Sequence, residues 1–239
     1  MSSRTPFAGL LAANVISITG NRLTQLAIPW FVLQTTGSVA QTGLVAFFSL
    51  LPFVISSALG GVIVDRLGYR RASIVADLAS GVSVLTIPLL FHTVGLPFGA
   101  LLALVFAGAL LDAPGQTARE AILPQLIERA GTTLERGTSL FDGVSRGASM
   151  LGAPLAGVLI ALFGPANVLI FDAVTFAVSA LLMRFLVPRA EPADAGSEQP
   201  ERYWTQLKEG YRFSGGHRSS GRSSAWSSSR TCSTRRWAA

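Results

Sequence analysis

Polar side chains recur at helical spacing inside the most apolar stretches of this chain. Asn14, Asn21 and Gln25 are separated by seven and four residues, which at about 100° per residue puts them on one helix face. Arg22 flanks that stripe about 22 Å into the segment, at about 1.5 Å per residue. Asp112, Gln116 and Arg119 make a second face at i, i+4 and i+7. A carboxylate, amides and guanidinium groups in an apolar setting can bind a polar solute, or take up and release a proton. A lone arginine facing lipid is costly, so Arg22 is expected to face a cavity or a carboxylate. Asp112 either pairs with Arg119 or exchanges a proton. The competing reading of both clusters is a structural network between helices. Asp77 and Asp142 lie near helix ends and read as structural or gate-related, with Asp142 and Arg146 at i, i+4 spacing. Arg184 is close enough to a helix end to snorkel. Position alone gives Asp172 no role.

Other chemistries find no support. No glycine-rich phosphate loop is present, and the serines have no histidine placed to activate them. The single cysteine, Cys232, permits neither an intrachain disulfide nor a cysteine-rich metal site, and His92 and His217 lie far apart. The expectation is a non-enzyme without metal or cofactor. The net charge of +6 is concentrated at the end of the chain. Residues 214–239 hold five arginines and no acid; without them 14 Lys+Arg face 13 Asp+Glu, a net of +1. The basicity therefore gives the body no affinity for nucleic acid.

The elements that must position these residues follow from hydropathy. Half the residues are hydrophobic, 13% are charged, and the mean hydropathy is +0.49. A soluble domain carries about a quarter charged residues, so lipid is the natural solvent for the excess. Six segments are long and apolar enough to cross a bilayer, at roughly 7–34, 42–64, 72–93, 97–118, 140–163 and 166–187. The first is too long for a signal peptide and reads as a retained helix. Pro29, Pro52 and Pro154 are tolerable in membrane helices, where neighbours re-satisfy the freed backbone groups. The connectors Thr35–Gln41, Thr93–Leu96 and Gly164–Pro165 carry no charge. The alternate set holds Arg66, Arg70 and Arg71; then Arg119, Arg129 and Arg136; then Arg189, Arg202 and Lys208. Basic residues resist translocation, so this set and both termini are expected in the cytoplasm of a multi-pass cell-membrane protein.

The most specific motif lies between the second and third segments: Gly61-Val-Ile-Val-Asp65-Arg66-Leu-Gly68-Tyr-Arg70-Arg71. Gly68 permits a sharp reversal there. This pattern resembles the signature loop of the major facilitator superfamily. Thr36-Gly37-Ser38, Ala118-Arg119-Glu120-Ala121-Ile122-Leu123-Pro124 and Trp204 with Glu209-Gly210 extend the resemblance over roughly residues 7–213, toward the drug-exporter branch that includes macrolide and enterobactin exporters. The resemblance implies an all-α membrane protein, with six transmembrane helices forming one half of a major-facilitator-type fold. It implies a gating role for Asp65, Arg66, Arg70 and Arg71, against which stands a plain topology anchor. It also places the first and fourth helices around a central cavity. Gly147, Gly152, Pro154 and Gly157 in the fifth segment resemble the family's exporter-type packing motif, with Ala153 where glycine usually precedes proline. Ordinary small-residue packing is the alternative.

The six-helix body is expected over residues 1–190. A linker and a short amphipathic helix, with Trp204, Leu207 and Tyr211 at i, i+3 and i+7, fill 191–213. Residues 214–239 contain nine serines and no Leu, Ile, Val, Met or Phe, and cannot form a packed core. They read either as a disordered Ser/Arg tail or as translation in a shifted frame, and the second is favoured because apolar character is lost mid-motif. The implied function is a proton-coupled efflux transporter of small hydrophobic compounds or siderophores, cut to its N-terminal half, with lipid and a small-molecule substrate as partners. A missing C-terminal half or a second copy would complete it. The alternatives are a non-transporting accessory membrane protein and a half-transporter acting as a dimer. Reporter fusions after Leu33, Val94 and Phe163 are expected to report the outside, and fusions after Arg71, Arg129 and Arg189 the inside; a uniform cytoplasmic readout would overturn the topology.

Overall fold

The computed structural model describes residues 4–93 and 95–188, apart from the side chains at 53, 54, 56–63, 65 and 66. The linker, amphipathic helix and Ser/Arg tail assigned above lie outside the described residues. Six α-helices follow one another: α1 (Thr5–Thr36), α2 (Val39–Leu67), α3 (Tyr69–Thr93), α4 (Phe98–Arg129), α5 (Leu134–Phe163) and α6 (Pro165–Leu186). Among the described residues, α3, α4, α5 and α6 are each long and apolar enough to cross a membrane by length and composition. The 32-residue α1 is long enough as well, but carries the polar stripe, and α2 contributes the apolar stretch Val39–Pro52. The described residues are all-α, and their six consecutive helices follow the order of the six spans expected from hydropathy.

The turns explain how such long helices reverse in so few residues. Gly37 ends α1 at φ 64°, its N–H bonded to the Leu33 carbonyl at 2.9 Å. The next residue, Ser38, caps α2 by accepting from the Gln41 N–H at 3.3 Å. A glycine in the left-handed region followed by a serine N-cap is an economical reversal. Between α2 and α3 the whole connector is Gly68, at φ 76°. A side chain there would be strained, so the reversal depends on glycine.

Two helices run further than hydropathy indicates. The expected basic connector around Arg119–Arg136 is mostly helical: α4 continues to Arg129, α5 begins at Leu134, and the true connector is residues 130–133. Apolar residues in this extension pack inward, with Ile122, Leu123, Leu126 and Ile127 all buried. Buried apolar side chains at helical spacing hold a helix together past the point where its average composition turns polar.

The apolar interior is split into two layers. At the end of the bundle bearing the uncharged connectors, Ile28, Phe31, Val84, Ile87, Val105, Leu169 and Phe176 form one core. At the basic end, Phe7, Leu10, Ile122, Leu126, Phe141 and Met183 form the other. Between them lies a polar belt of buried Asn14, Ser17, Ser73, Asp77, Ser80, Asp112, Arg119, Asp172 and Ser179. In lipid, where water cannot rescue an unpaired group, such a belt must satisfy itself from neighbouring helices.

Candidate functional site

At the centre of the belt, Arg119 of α4 is fully buried and meets Asp77 of α3. Its Nη2 donates to Asp77 Oδ1 at 2.5 Å, and its Nε donates to Ser73 Oγ at 3.2 Å. The second carboxylate oxygen of Asp77 accepts from Ser179 Oγ of α6 at 2.7 Å. Ser179 also lies 3.1 Å from the carbonyl of Ala13 on α1. One carboxylate thus gathers α3, α4 and α6, with α1 alongside. The close approach has a local cause. A Cβ on Gly115 would stand 2.8 Å from Ala76 Cβ, a spacing side chains do not tolerate, so glycine at this position lets α3 and α4 meet.

This geometry corrects two pairings. Arg119 does not pair with Asp112: seven residues separate them along one helix, about 10 Å of rise, whereas Asp77 faces the guanidinium directly across the helix interface. Asp142 and Arg146 form no ion pair with each other.

Asp112 is instead turned toward α1. Its Oδ2 accepts from Asn21 Nδ2 at 3.0 Å and from Gln116 Nε2 at 2.8 Å, while its Oδ1 is buried without a hydrogen-bond partner. Arg22 extends the other way, its Nη1 donating to Gln25 Oε1 at 2.6 Å and its Nη2 to Ser149 Oγ of α5 at 3.3 Å. Asn21, Arg22, Gln25, Asp112 and Gln116 all line a cavity of about 440 Å³, which lies within the size range of small-molecule sites. Ser49, Ser80 and Ser149 add hydroxyls, and Ile28, Leu50, Val84, Ile87, Leu104, Val105 and Phe176 supply apolar wall. The arrangement lines one cavity with a carboxyl on α4, a guanidinium on α1 and apolar side chains. It suits an amphipathic ligand that donates a hydrogen bond at one end and accepts one at the other.

Two residues of the expected cavity set are placed elsewhere. Asn14 donates to Ser145 Oγ of α5 at 2.8 Å and does not line the cavity. Arg119 lies in the ion pair beneath it. Of the motif between α2 and α3, Gly61 lies within α2, and the side chains of Asp65 and Arg66 are outside the described residues. Arg70 donates to the Met183 carbonyl at 3.2 Å and to the Arg184 carbonyl, tying the start of α3 to the end of α6. Arg71 is exposed. Cationic groups suit the carbonyl-rich end of a helix. In α5, a Cβ on Gly152 would stand 2.9 Å from Arg22 Cβ, so this glycine makes room for the arginine. Gly147 and Gly157 have nothing within 4 Å of that position, and Pro154 is exposed. Packing within this bundle explains Gly152 alone.

Sequence reasoning missed the hydroxyl partners Thr24, Ser73, Ser145, Ser149, Thr175 and Ser179. Serines and threonines are frequent throughout these helices, and only the fold tells which face a carboxylate.

The sequence profile described as Major Facilitator Superfamily matches residues 10–231. The chain is 34% identical to "Multidrug efflux pump Tap" of Mycolicibacterium fortuitum, over 89% of this chain and 53% of that protein. It is 31% identical to the pump of the same name in Mycobacterium tuberculosis (strain ATCC 25618 / H37Rv), over 89% of this chain and 51% of the relative. "Staphyloferrin A transporter" of Staphylococcus aureus is 25% identical over 76% of this chain and 46% of its own length. The chain thus spans about half the length of the curated relatives it matches. No solved structure matches.

The buried pair yields a stability prediction. Arg119→Met leaves Asp77 as an uncompensated buried charge and is expected to cost about 3–5 kcal/mol in detergent unfolding experiments. Adding Asp77→Asn to Arg119→Met should recover most of that loss. A single variant as stable as the wild type, or a double variant no better than the single, would contradict the pairing.

Proposed function

Since this chain belongs to the major facilitator superfamily, we propose that it is the substrate-cavity half of a secondary efflux transporter of small hydrophobic compounds or siderophores, coupled to protons. The observation that carries the reading is the cavity between α1 and α4, lined by Asp112 and Arg22 together with apolar side chains. The names of the relatives, multidrug efflux pump and staphyloferrin A transporter, support it. Secondary transporters of this build place the substrate site near the midplane, between two repeats. A second six-helix unit is the partner proposed to close the cavity, either a C-terminal half or another copy of this chain. On this reading the bundle sits in the cell membrane with its basic connectors and both termini in the cytoplasm.

Within the cavity, Asp112 is the acidic subsite, held in orientation by Asn21 and Gln116. Arg22, braced by Gln25 and Ser149, is the cationic subsite. Asp77 and Arg119, outside the cavity lining, keep α3 and α4 in register, and Asn14 supports α1 against α5. The motif between α2 and α3, with Asp65, Arg66, Arg70 and Arg71, is assigned to gating through its anchorage of α3 on the end of α6. No step of this function requires a metal, a cofactor or bond-making chemistry, which accords with a non-enzyme.

Expression in a host lacking its own drug pumps tests the reading, with ethidium accumulation as the readout and the chain produced alone and together with a six-helix C-terminal half taken from a relative. The expected result is lowered accumulation in at least one arrangement, abolished by a protonophore and lost in Asp112→Asn. Unchanged accumulation in both arrangements, with the protein inserted in the membrane, would contradict it.

A further inference from the structure

Beyond the cavity, one buried carboxylate has no part in the function above. Asp172 of α6 is completely buried, and no basic side chain of the described residues pairs with it. Its surroundings are built to hold it. A Cβ on Gly20 of α1 would collide with both Asp172 and Thr175, so only glycine at that point admits the pair between α1 and α6. Thr24, one turn further along α1, donates its hydroxyl to Asp172 Oδ2. Thr175 Oγ1 lies 3.0 Å from Asp172 Oδ1 and 2.8 Å from the Asp172 backbone carbonyl.

The hydrogens fit either charge state, since Thr24 and Thr175 can both donate to an ionised Asp172; complete burial without a cation selects the neutral one. Thr175 has one hydroxyl hydrogen and two acceptors within reach. The nearer is the backbone carbonyl, which as a mid-helix group also accepts the N–H of Phe176. If that hydrogen goes to the carbonyl, the contact at Oδ1 is satisfied only by a proton on Asp172 itself, donated to Thr175 Oγ1. Every polar atom of the cluster then has a partner: Thr24 donates to Oδ2, Asp172 donates from Oδ1, and Thr175 donates to the carbonyl. The ionised form would instead place an unpaired charge in the interior of a membrane bundle, among the most expensive arrangements available to a side chain.

The charged and titratable groups facing this site do not supply the missing cation. On α1, Arg22 is turned away to Gln25 and Ser149. On α3, Asp77 is committed to Arg119 of α4. On α4, Asp112 is a second carboxylate, held by Asn21 and Gln116. On α5, Asp142 and Arg146 lie toward the basic end, and on α6 itself Arg184 is exposed three turns away.

We propose that Asp172 is a proton-binding site of this bundle, and that Thr24 connects it to the cavity. Thr24 lines the cavity while touching Asp172, so its hydroxyl is the single step between the buried carboxyl and cavity water. Release leaves the carboxylate on Asp172. For this the two hydroxyls turn, so that Thr175 donates to Oδ1, the carboxyl proton sits on Oδ2 and the Thr24 hydrogen points to the cavity; the Oδ2 proton then passes to Thr24 Oγ1 as the hydroxyl proton of Thr24 goes to a cavity water, which becomes hydronium. Uptake is the reverse. Use of this proton in coupling rests on the transporter reading, whereas the presence of the proton does not.

Infrared difference spectroscopy of the full chain in lipid, with exchange into deuterated water, tests this without any transport. The expected result at neutral pH is a carboxylic-acid carbonyl band that downshifts on deuteration, persists in Asp112→Asn and vanishes in Asp172→Asn. Thr24→Val, which removes one hydroxyl at nearly constant volume, is expected to keep the band, shift its frequency and slow its deuteration about tenfold, a barrier higher by about 1.4 kcal/mol. Should Asp172→Asn fail to fold, the Thr24→Val shift still identifies the residue. A wild-type spectrum without the band, a band unchanged in Asp172→Asn, or a band indifferent to Thr24→Val would overturn the proposal. A band assigned to Asp172 in a chain that moves no ethidium would keep the proton site and remove the transporter reading.

Discussion

The buried pair of Asp77 and Arg119 is the constraint on which the rest of this bundle depends. A guanidinium and a carboxylate enter a membrane interior at least cost together, with hydrogen bonds to their remaining groups; here Nη1 of Arg119 is buried without such a partner. Asp77 has both oxygens engaged, by Arg119 and by Ser179, and Arg119 reaches Ser73 as well. The pair therefore sets the distance between α3 and α4, which Gly115 makes short enough, and pins α6 and α1 to the same point. Apolar layers above and below can be repacked with modest loss, since volume and not direction is what they must conserve. The polar belt has no such latitude.

That division of labour explains why Asp112 is available. Because Arg119 is taken by Asp77, the second carboxylate of the belt is left with amide donors only, and one of its oxygens is unpartnered. A neutralised Asp112 would be one more packing contact. On the proposed transport reading Asp112 is a recognition element of the cavity, and Arg22, which lines the same cavity, is its complement. The lesson for the helix ends is similar. Single glycines at Gly68 and Gly164 replace whole connectors, so the helices on either side begin and end next to one another at these points.

Much of this was legible in the amino-acid order. Apolar runs long enough to span a bilayer located all six helices, and the i, i+4, i+7 spacing of Asp112, Gln116 and Arg119 placed them on one face. Spacing could not tell which of two aspartates Arg119 would meet, because the partner came from another helix through an approach that only Gly115 permits. Nor could composition see α4 running on to Arg129, since Ile122, Leu126 and Ile127 are buried by neighbours that are distant in sequence. The stripe on α1 was read as one site, yet the helix turns it over several surroundings: Asn14 meets α5, Asn21 meets α4, and Arg22 lies beside Ser149. Asp172 was visible as a charge in an apolar run, but its role depends on Gly20 and Thr24, which carry no signal by themselves.

Solvent access separates the two carboxylate environments most directly. On a Cys232→Ser background, Ala109→Cys places a thiol on the cavity wall, and Ser73→Cys places one, nearly isosteric, against Arg119. Labelling rates with a hydrophilic maleimide would be measured in native membranes. The account predicts that the thiol introduced by Ala109→Cys reacts readily and that the one introduced by Ser73→Cys is protected until the bundle is unfolded. Equal reactivity of the two would mean that the Asp77–Arg119 pair is solvated, and would contradict its role as the dry tie between α3 and α4.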